Sequence, residues 1–345
     1  DTVTHTYSIP GTFNVTLNVT VPGGCNGSAL HPITIYPTPN VVQPPNQVLC
    51  IGAATSPVTF TGLPASTIFT WTNNNSTIGL PASGTGDIAA FTPINTGNTP
   101  VVATITVTPV HLTCSGTPVT FTITVNPRPN AVQPQDQIIC RGAATTAINF
   151  SGSVTGTVYN WTNNNTSIGL AAGGSGNIAA FTAINTTNAP VTATITVTPV
   201  AAGCTGIPRS FTIRVNPTPN VVQPANQILC NGAATNTITF TGATGSTAYN
   251  WINNNPSIGL AANGNGNIPS FTAINTGNTQ VTASITVTPS SSGCPGIPET
   301  FTITVNPTPN VAQPANQALC NGATTHLVTF TGSVGNAAYY WVNNN

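Results

Sequence analysis

Residues 119–126 read Val-Thr-Phe-Thr-Ile-Thr-Val-Asn, and residues 101–108 read Val-Val-Ala-Thr-Ile-Thr-Val-Thr. In both stretches apolar residues alternate with threonine. Val119, Phe121, Ile123 and Val125 form one row; Ala103, Ile105 and Val107 form its match. A period of two puts successive side chains on opposite faces of a strand, one face dry and the other wet. Shorter alternations at Val58/Phe60 and Phe69/Trp71 add further strands. Turn-forming clusters separate them, among them Asn73-Asn74-Asn75 and Ser83-Gly84-Thr85-Gly86. No stretch carries a 3.6-residue helical period. About seven short strands around a central tryptophan predict an all-β, two-sheet sandwich of immunoglobulin type.

The pattern repeats every 90 residues. Trp71, Trp161, Trp251 and Trp341 keep that spacing, as do Cys50, Cys140, Cys230 and Cys320, and Cys114, Cys204 and Cys294. Pro-x-Pro-Asn recurs at 37–40, 127–130, 217–220 and 307–310. Ninety residues exceed a solenoid repeat and suit a small independent domain. The chain therefore reads as sandwiches in tandem, end to end. Residues 37–126, 127–216 and 217–306 are complete units, 1–36 the C-terminal part of a preceding one, and 307–345 the N-terminal part of a following one. This phase predicts a longer native chain.

Composition narrows the function. Of 345 residues 2% are charged, with four arginines (Arg128, Arg141, Arg209, Arg214), no lysine and four acids. A nucleic-acid binder needs a basic stripe against phosphate, and an anionic membrane surface makes the same demand. Four scattered arginines meet neither. No apolar run is long enough to span a bilayer. His5, His31, His111 and His326 fall outside the repeat, and the acids Asp1, Asp87, Asp136 and Glu299 form no pair for acid–base work. No catalytic, cofactor-binding or metal-binding residues are assigned.

Several strings are similar to a known repeat. They are "ILCNGAAT" (228–235), the "NWTNNN" and "SIGLAA" of residues 160–172, "TATITVTP" (192–199), "GCTG" (203–206) and "FTITVNPTPN" (301–310). Residues 5–19, from His5 to Val19, resemble the closing strands of a PKD domain. The complete units resemble the PKD-like repeats of giant Bacteroidota surface proteins, the SprB-like gliding-motility adhesins exported by the type IX secretion system. The resemblance implies an extracellular, cell-surface filament attached at the outer membrane. Its implied partners are the other domains of one long chain, surface polysaccharide, and outer-membrane or secretion-system proteins. PKD domains often carry an acidic stretch after the tryptophan; here the Asn run stands there. Calcium favours several charged oxygens, so the run reads as a polar turn.

The eight cysteines imply an oxidising setting, and without CxxC pairs or nearby histidines zinc is not expected. Two connectivities follow. Within a unit, Cys50 would pair with Cys114, Cys140 with Cys204 and Cys230 with Cys294. In the sandwich, however, Cys50 precedes the second strand while Cys114 lies in the last hairpin. These are opposite poles, on the order of 20 Å apart by strand length, against the ~7 Å a disulfide spans. Stacking units end to end brings such poles together across a joint. The preferred pairs are then Cys50–Cys204 and Cys140–Cys294, with Cys25, Cys114, Cys230 and Cys320 finding partners in further units.

Trp71, Trp161, Trp251 and Trp341 are expected as core anchors rather than sugar platforms, because Trp71 lies in phase with Phe69. The Pro-x-Pro linkers favour extended, stiff joints. The expected role is a structural stalk carrying a distal binding tip. A carbohydrate-binding array, and spacer repeats of a secreted enzyme, are the alternatives.

Overall fold

The computed structural model describes residues 2–344. Its regular structure is all β, with three single-turn 3-10 segments at Ser76–Ile78, Thr166–Ile168 and Pro256–Ile258. A two-stranded hairpin comes first: β1 (Gly11–Thr20) and β2 (Asn26–Ile35) pair along their full length. Three six-stranded sheets follow. The first holds β3 (Gln47–Cys50), β4 (Ile68–Asn73), β5 (Ser83–Thr85), β6 (Val101–His111), β7 (Cys114–Ser115) and β8 (Val119–Asn126). The second holds β9 (Gln137–Cys140), β10 (Val158–Asn163), β11 (Gly173–Ser175), β12 (Val191–Ala201), β13 (Cys204–Thr205) and β14 (Arg209–Asn216). The third holds β15 (Gln227–Cys230), β16 (Ala248–Asn253), β17 (Asn263–Asn265), β18 (Val281–Ser291), β19 (Cys294–Pro295) and β20 (Glu299–Asn306).

All three sheets share one topology. In the first the order is β3-β8-β6-β4-β5, with β7 paired to the end of β6. The β3–β8 pair is parallel, setting Gln47 opposite Ile123 and Cys50 opposite Asn126. Its neighbours are antiparallel: Ile105 lies opposite Phe121, and Trp71 opposite Val107. The threonines between these residues face outward. Thr is β-branched and suits a wet strand face, which is why so uncharged a chain can coat its sheets.

The opposing layer is thinner than its sequence pattern predicts. The alternation at Val58 and Phe60 becomes a single bridge, Val58 to Ile88, instead of a ladder. Side chains supply the missing rungs. Ser56 N donates to Gln47 Oε1 at 2.9 Å, and Gln47 Nε2 donates back to Ser56 O at 2.9 Å. Phe60 N donates to Asp87 Oδ1 at 2.9 Å. A primary amide offers the same donor and acceptor as a peptide group, so Gln47 acts as one residue of a neighbouring strand. Gln137/Thr146 and Gln227/Asn236 repeat the arrangement.

Between the layers lies a separate apolar core for each sandwich. In the first it includes Val58, Phe60, Ile78, Ile88, Ile105, Phe121, Ile123 and Val125. Trp71, Trp161 and Trp251 are buried, 6–8% exposed. Trp341 is not: it stands 71% exposed, against the expectation of a fourth core anchor. In the complete sandwiches the ring lies over Gly84, Gly174 or Gly264, so closely that a Cβ there would collide with it. Residues 307–344 contain no strand equivalent to the one that carries this glycine.

Tyr159 packs on Phe150, with ring centroids 5.7 Å apart. Burial pushes its phenol above the ordinary 10.0, and a hydrogen bond with Thr157 partly offsets the rise. A raised folded value means the fold binds the proton more tightly than the unfolded chain does. The contribution is therefore constant below pH ~10 and is lost as pH rises beyond it. We expect denaturation midpoints of the second sandwich to fall as pH rises above about 10. Tyr159→Phe should flatten that fall.

Candidate functional site: the joints between sandwiches

The linker of each joint is short and anchored. Pro127 and Pro129 fix φ and withhold two donors, and Asn130 then ties the entering chain down. Its Oδ1 accepts from Ser153 N at 2.8 Å and Ser153 Oγ at 3.0 Å. Asn40 and Asn220 do the same for Leu63 N and Ala243 N. Gly206, just past β13, comes so close to this linker that a Cβ would run into Pro129 O and the Pro199 ring. Gly116 and Gly296 meet Pro39 O and Pro219 O in the same way. Only hydrogen fits. Gly206→Ala must displace linker backbone, an overpacking cost of about 1–3 kcal/mol. Gly245→Ala, where nothing lies within 4 Å, is the matched control and should leave the melting temperature unchanged.

Above the linker, the tip of the last hairpin of one sandwich meets the far pole of the one before it. β12 and β13 join through Ala202-Gly203, whose φ values of +47° and +77° are those of a two-residue hairpin turn with both central residues left-handed. Glycine takes that conformation freely, while Ala202 adopts it at a cost. Asn126, at the end of β8 and 5% exposed, reaches across: its Nδ2 donates to Ala202 O at 3.2 Å. Asn216 makes the equivalent bond to Ser292 O at 3.3 Å in the next joint.

Cysteine completes each contact. Cys50, ending β3, is bonded to Cys204 with Cα atoms 5.6 Å apart, and Cys140 is bonded to Cys294 at the same Cα separation. Both pairs are 154 residues apart in sequence. Cys204 and Cys294 are almost fully buried. Cys25, Cys114, Cys230 and Cys320 carry free thiols. Within the first sandwich Cys50 sits level with Asn126 at the end of β8, whereas Cys114 precedes its start. The eight residues of β8 place the two roughly 25 Å apart at ~3.3 Å per residue.

The Asn run after each buried tryptophan is fully employed. Asn73 Nδ2 donates to Leu80 O at 2.9 Å and its Oδ1 accepts from Asn75 N at 2.9 Å. Asn74 Oδ1 accepts from Thr104 N at 2.8 Å. Asn75 caps the 3-10 turn by accepting from Thr77 N at 3.3 Å. No group of three or more His, Cys, Asp or Glu side chains that could hold a metal occurs among the described residues. The sequence signal for the joint lay in the cysteine spacing; Asn126 and Gly206 carried none that separates them from the many other Asn and Gly residues.

These features define a tandem array of immunoglobulin-type sandwiches with disulfides across the joints. Residues 137–219, the body of the second sandwich and the linker after it, match the family model of the PKD-like domain. No curated protein matches the chain. Among solved structures the chain is similar to protocadherin gammaB7 repeats EC3–6, at 12% identity and TM-score 0.38, covering 86% of this chain and 84% of that one. It is similar to mouse cadherin-23 EC22–24 at 11% identity and TM-score 0.37, covering 79% and 99%. For the I9–I11 tandem of titin the values are 11%, 0.29, 79% and 100%.

Proposed function

We propose that this chain is a stretch of the stalk of a long extracellular adhesion filament, holding a distal binding tip away from a cell surface and carrying load to it. Its units run 37–126, 127–216 and 217–306, with partial units at 1–36 and 307–345. The SprB-like resemblance extends the reading to a Bacteroidota adhesin that passes through the type IX system and attaches at the outer membrane. The observation that carries the proposal is the joint. A proline-fixed linker, an Asn clasp and a disulfide recur in register at two successive junctions, which is what a stiff rod requires and a flexible string of domains does not. The buried tryptophans favour it over a carbohydrate-binding array, since they offer no stacking face.

Solution scattering tests the rod. A globule of this length has a radius of gyration of about 20 Å. Stacked units of roughly 40 Å each, a strand length plus a linker, give about 40 Å. A value near 20 Å, or one unchanged by reducing agent, would remove the case for a stiffened stalk.

A further inference from the structure

The two disulfides overlap in sequence, since Cys140 falls inside the span of Cys50–Cys204 and Cys204 inside that of Cys140–Cys294. We propose that this overlap makes the array a covalent ladder that survives cleavage of every linker it bridges. The inference rests on the joint pairing described above and goes beyond stiffness. Between Cys50 and Cys294 four covalent routes exist: the backbone itself; forward from Cys50 to Cys140 and across; across to Cys204 and forward to Cys294; or across to Cys204, back to Cys140 and across again. A single cut anywhere between Cys50 and Cys294 leaves at least one route whole. Cutting both linkers, near residues 127 and 217, leaves the second sandwich bonded to the first through Cys204 and to the third through Cys140.

The same network limits stretch. With both bonds closed, Cys50 and Cys294 can separate by no more than the shortest route. That route is the 64 residues from 140 to 204 (204 − 140), against 244 (294 − 50) when reduced. At ~3.3–3.6 Å per residue the limits are about 220 Å and about 850 Å. The load then enters the second sandwich through its two cysteines and not through its chain ends. A filament of such units resists both overstretching and nicking in the medium around a cell.

The test uses the full chain with a protease recognition sequence inserted after Pro127 and another after Pro217. After complete digestion, a denaturing gel without reductant should show one species of undigested mass, and with reductant three fragments. Separation into fragments without reductant would overturn the ladder. Pairing within units, Cys50–Cys114 with Cys140–Cys204, predicts that separation, because neither bond crosses a linker. Should the insertions prevent folding, mass mapping of non-reduced peptides from the unaltered chain decides. Cys50–Cys204 and Cys140–Cys294 peptides are expected, and a Cys50–Cys114 peptide overturns the proposal. The stalk reading fails separately: an intact band together with a globular scattering radius would keep the ladder and remove the rod.

Discussion

Reduction of the disulfides is expected to destabilise the second sandwich more than its neighbours. Within the described residues it is held at both poles, by Cys140 at one end and Cys204 at the other, while the first takes part through Cys50 and the third through Cys294. A cross-link stabilises chiefly by removing conformations from the unfolded chain, typically about 2–4 kcal/mol for loops this long. For a unit of this size each kcal/mol moves the melting temperature by about 4–8 °C. A chain with Cys50, Cys140, Cys204 and Cys294 all changed to Ser removes two bonds from the second sandwich and one from each neighbour, and should therefore lose on the order of 10–20 °C more in its second sandwich than in either neighbour. Hydrogen exchange can assign that loss to residues 127–216. Cys114→Ser and Cys230→Ser remove thiols that are unbonded within the described residues and, in a chain of these residues, should change neither. Equal loss in all three sandwiches, or none, would contradict the double clasp.

The strands of the main sheet were legible because they are two-faced. β6 and β8 alternate apolar residues with threonine over eight positions or more, and no other arrangement buries those rows. The joint was half legible. Cysteines at fixed spacing can be placed at a pole once the strand order is known, but a joint asparagine looks like any other. Asn126 differs from a loop Asn only in what it reaches. The thinner layer misled the pattern for a related reason. Val58 and Phe60 alternate like a strand, yet only Val58 pairs with backbone, at Ile88, while the backbone groups of Ser56 and Phe60 are satisfied by the Gln47 and Asp87 side chains, a substitution that hydrophobic period cannot register. In each sandwich the tryptophan is buried where a glycine-bearing strand lies over its ring, at Gly84, Gly174 and Gly264.

The scarcity of charge has a local cause that a single substitution exposes. Asn163 is buried, and its Nδ2 donates to Leu170 O at 3.0 Å and Ala171 O at 3.2 Å, while its Oδ1 accepts from Asn165 N at 3.0 Å. A carboxylate can do only the second job; its other oxygen would face two carbonyls with no proton between. Asn163→Asp is expected to cost about 2–4 kcal/mol at neutral pH, the penalty of a buried, unsatisfied polar group. The folded fold would hold that carboxyl above its unfolded value of about 3.9. The lost stability should thus be largely present below pH 4 and disappear as pH rises. Asn163→Ala should lose a similar amount at every pH, so denaturation at about pH 4 and pH 7 separates the two variants. Asn164 uses only its oxygen, accepting from Thr194 N at 2.8 Å, and Asn164→Asp should be tolerated. A stable Asn163→Asp chain at pH 7 would sink the argument. Two natural acids already follow the rule. Asp87 only accepts, from Phe60 N, where Asn177 and Asn267 stand in the other sandwiches. Asp136 only accepts, from Thr212 N, where Asn46 and Asn226 stand. Asp87 and Asp136 stand where only an acceptor is asked for, and asparagine serves there equally well in the other sandwiches, whereas Asn163 stands where a donor is needed too.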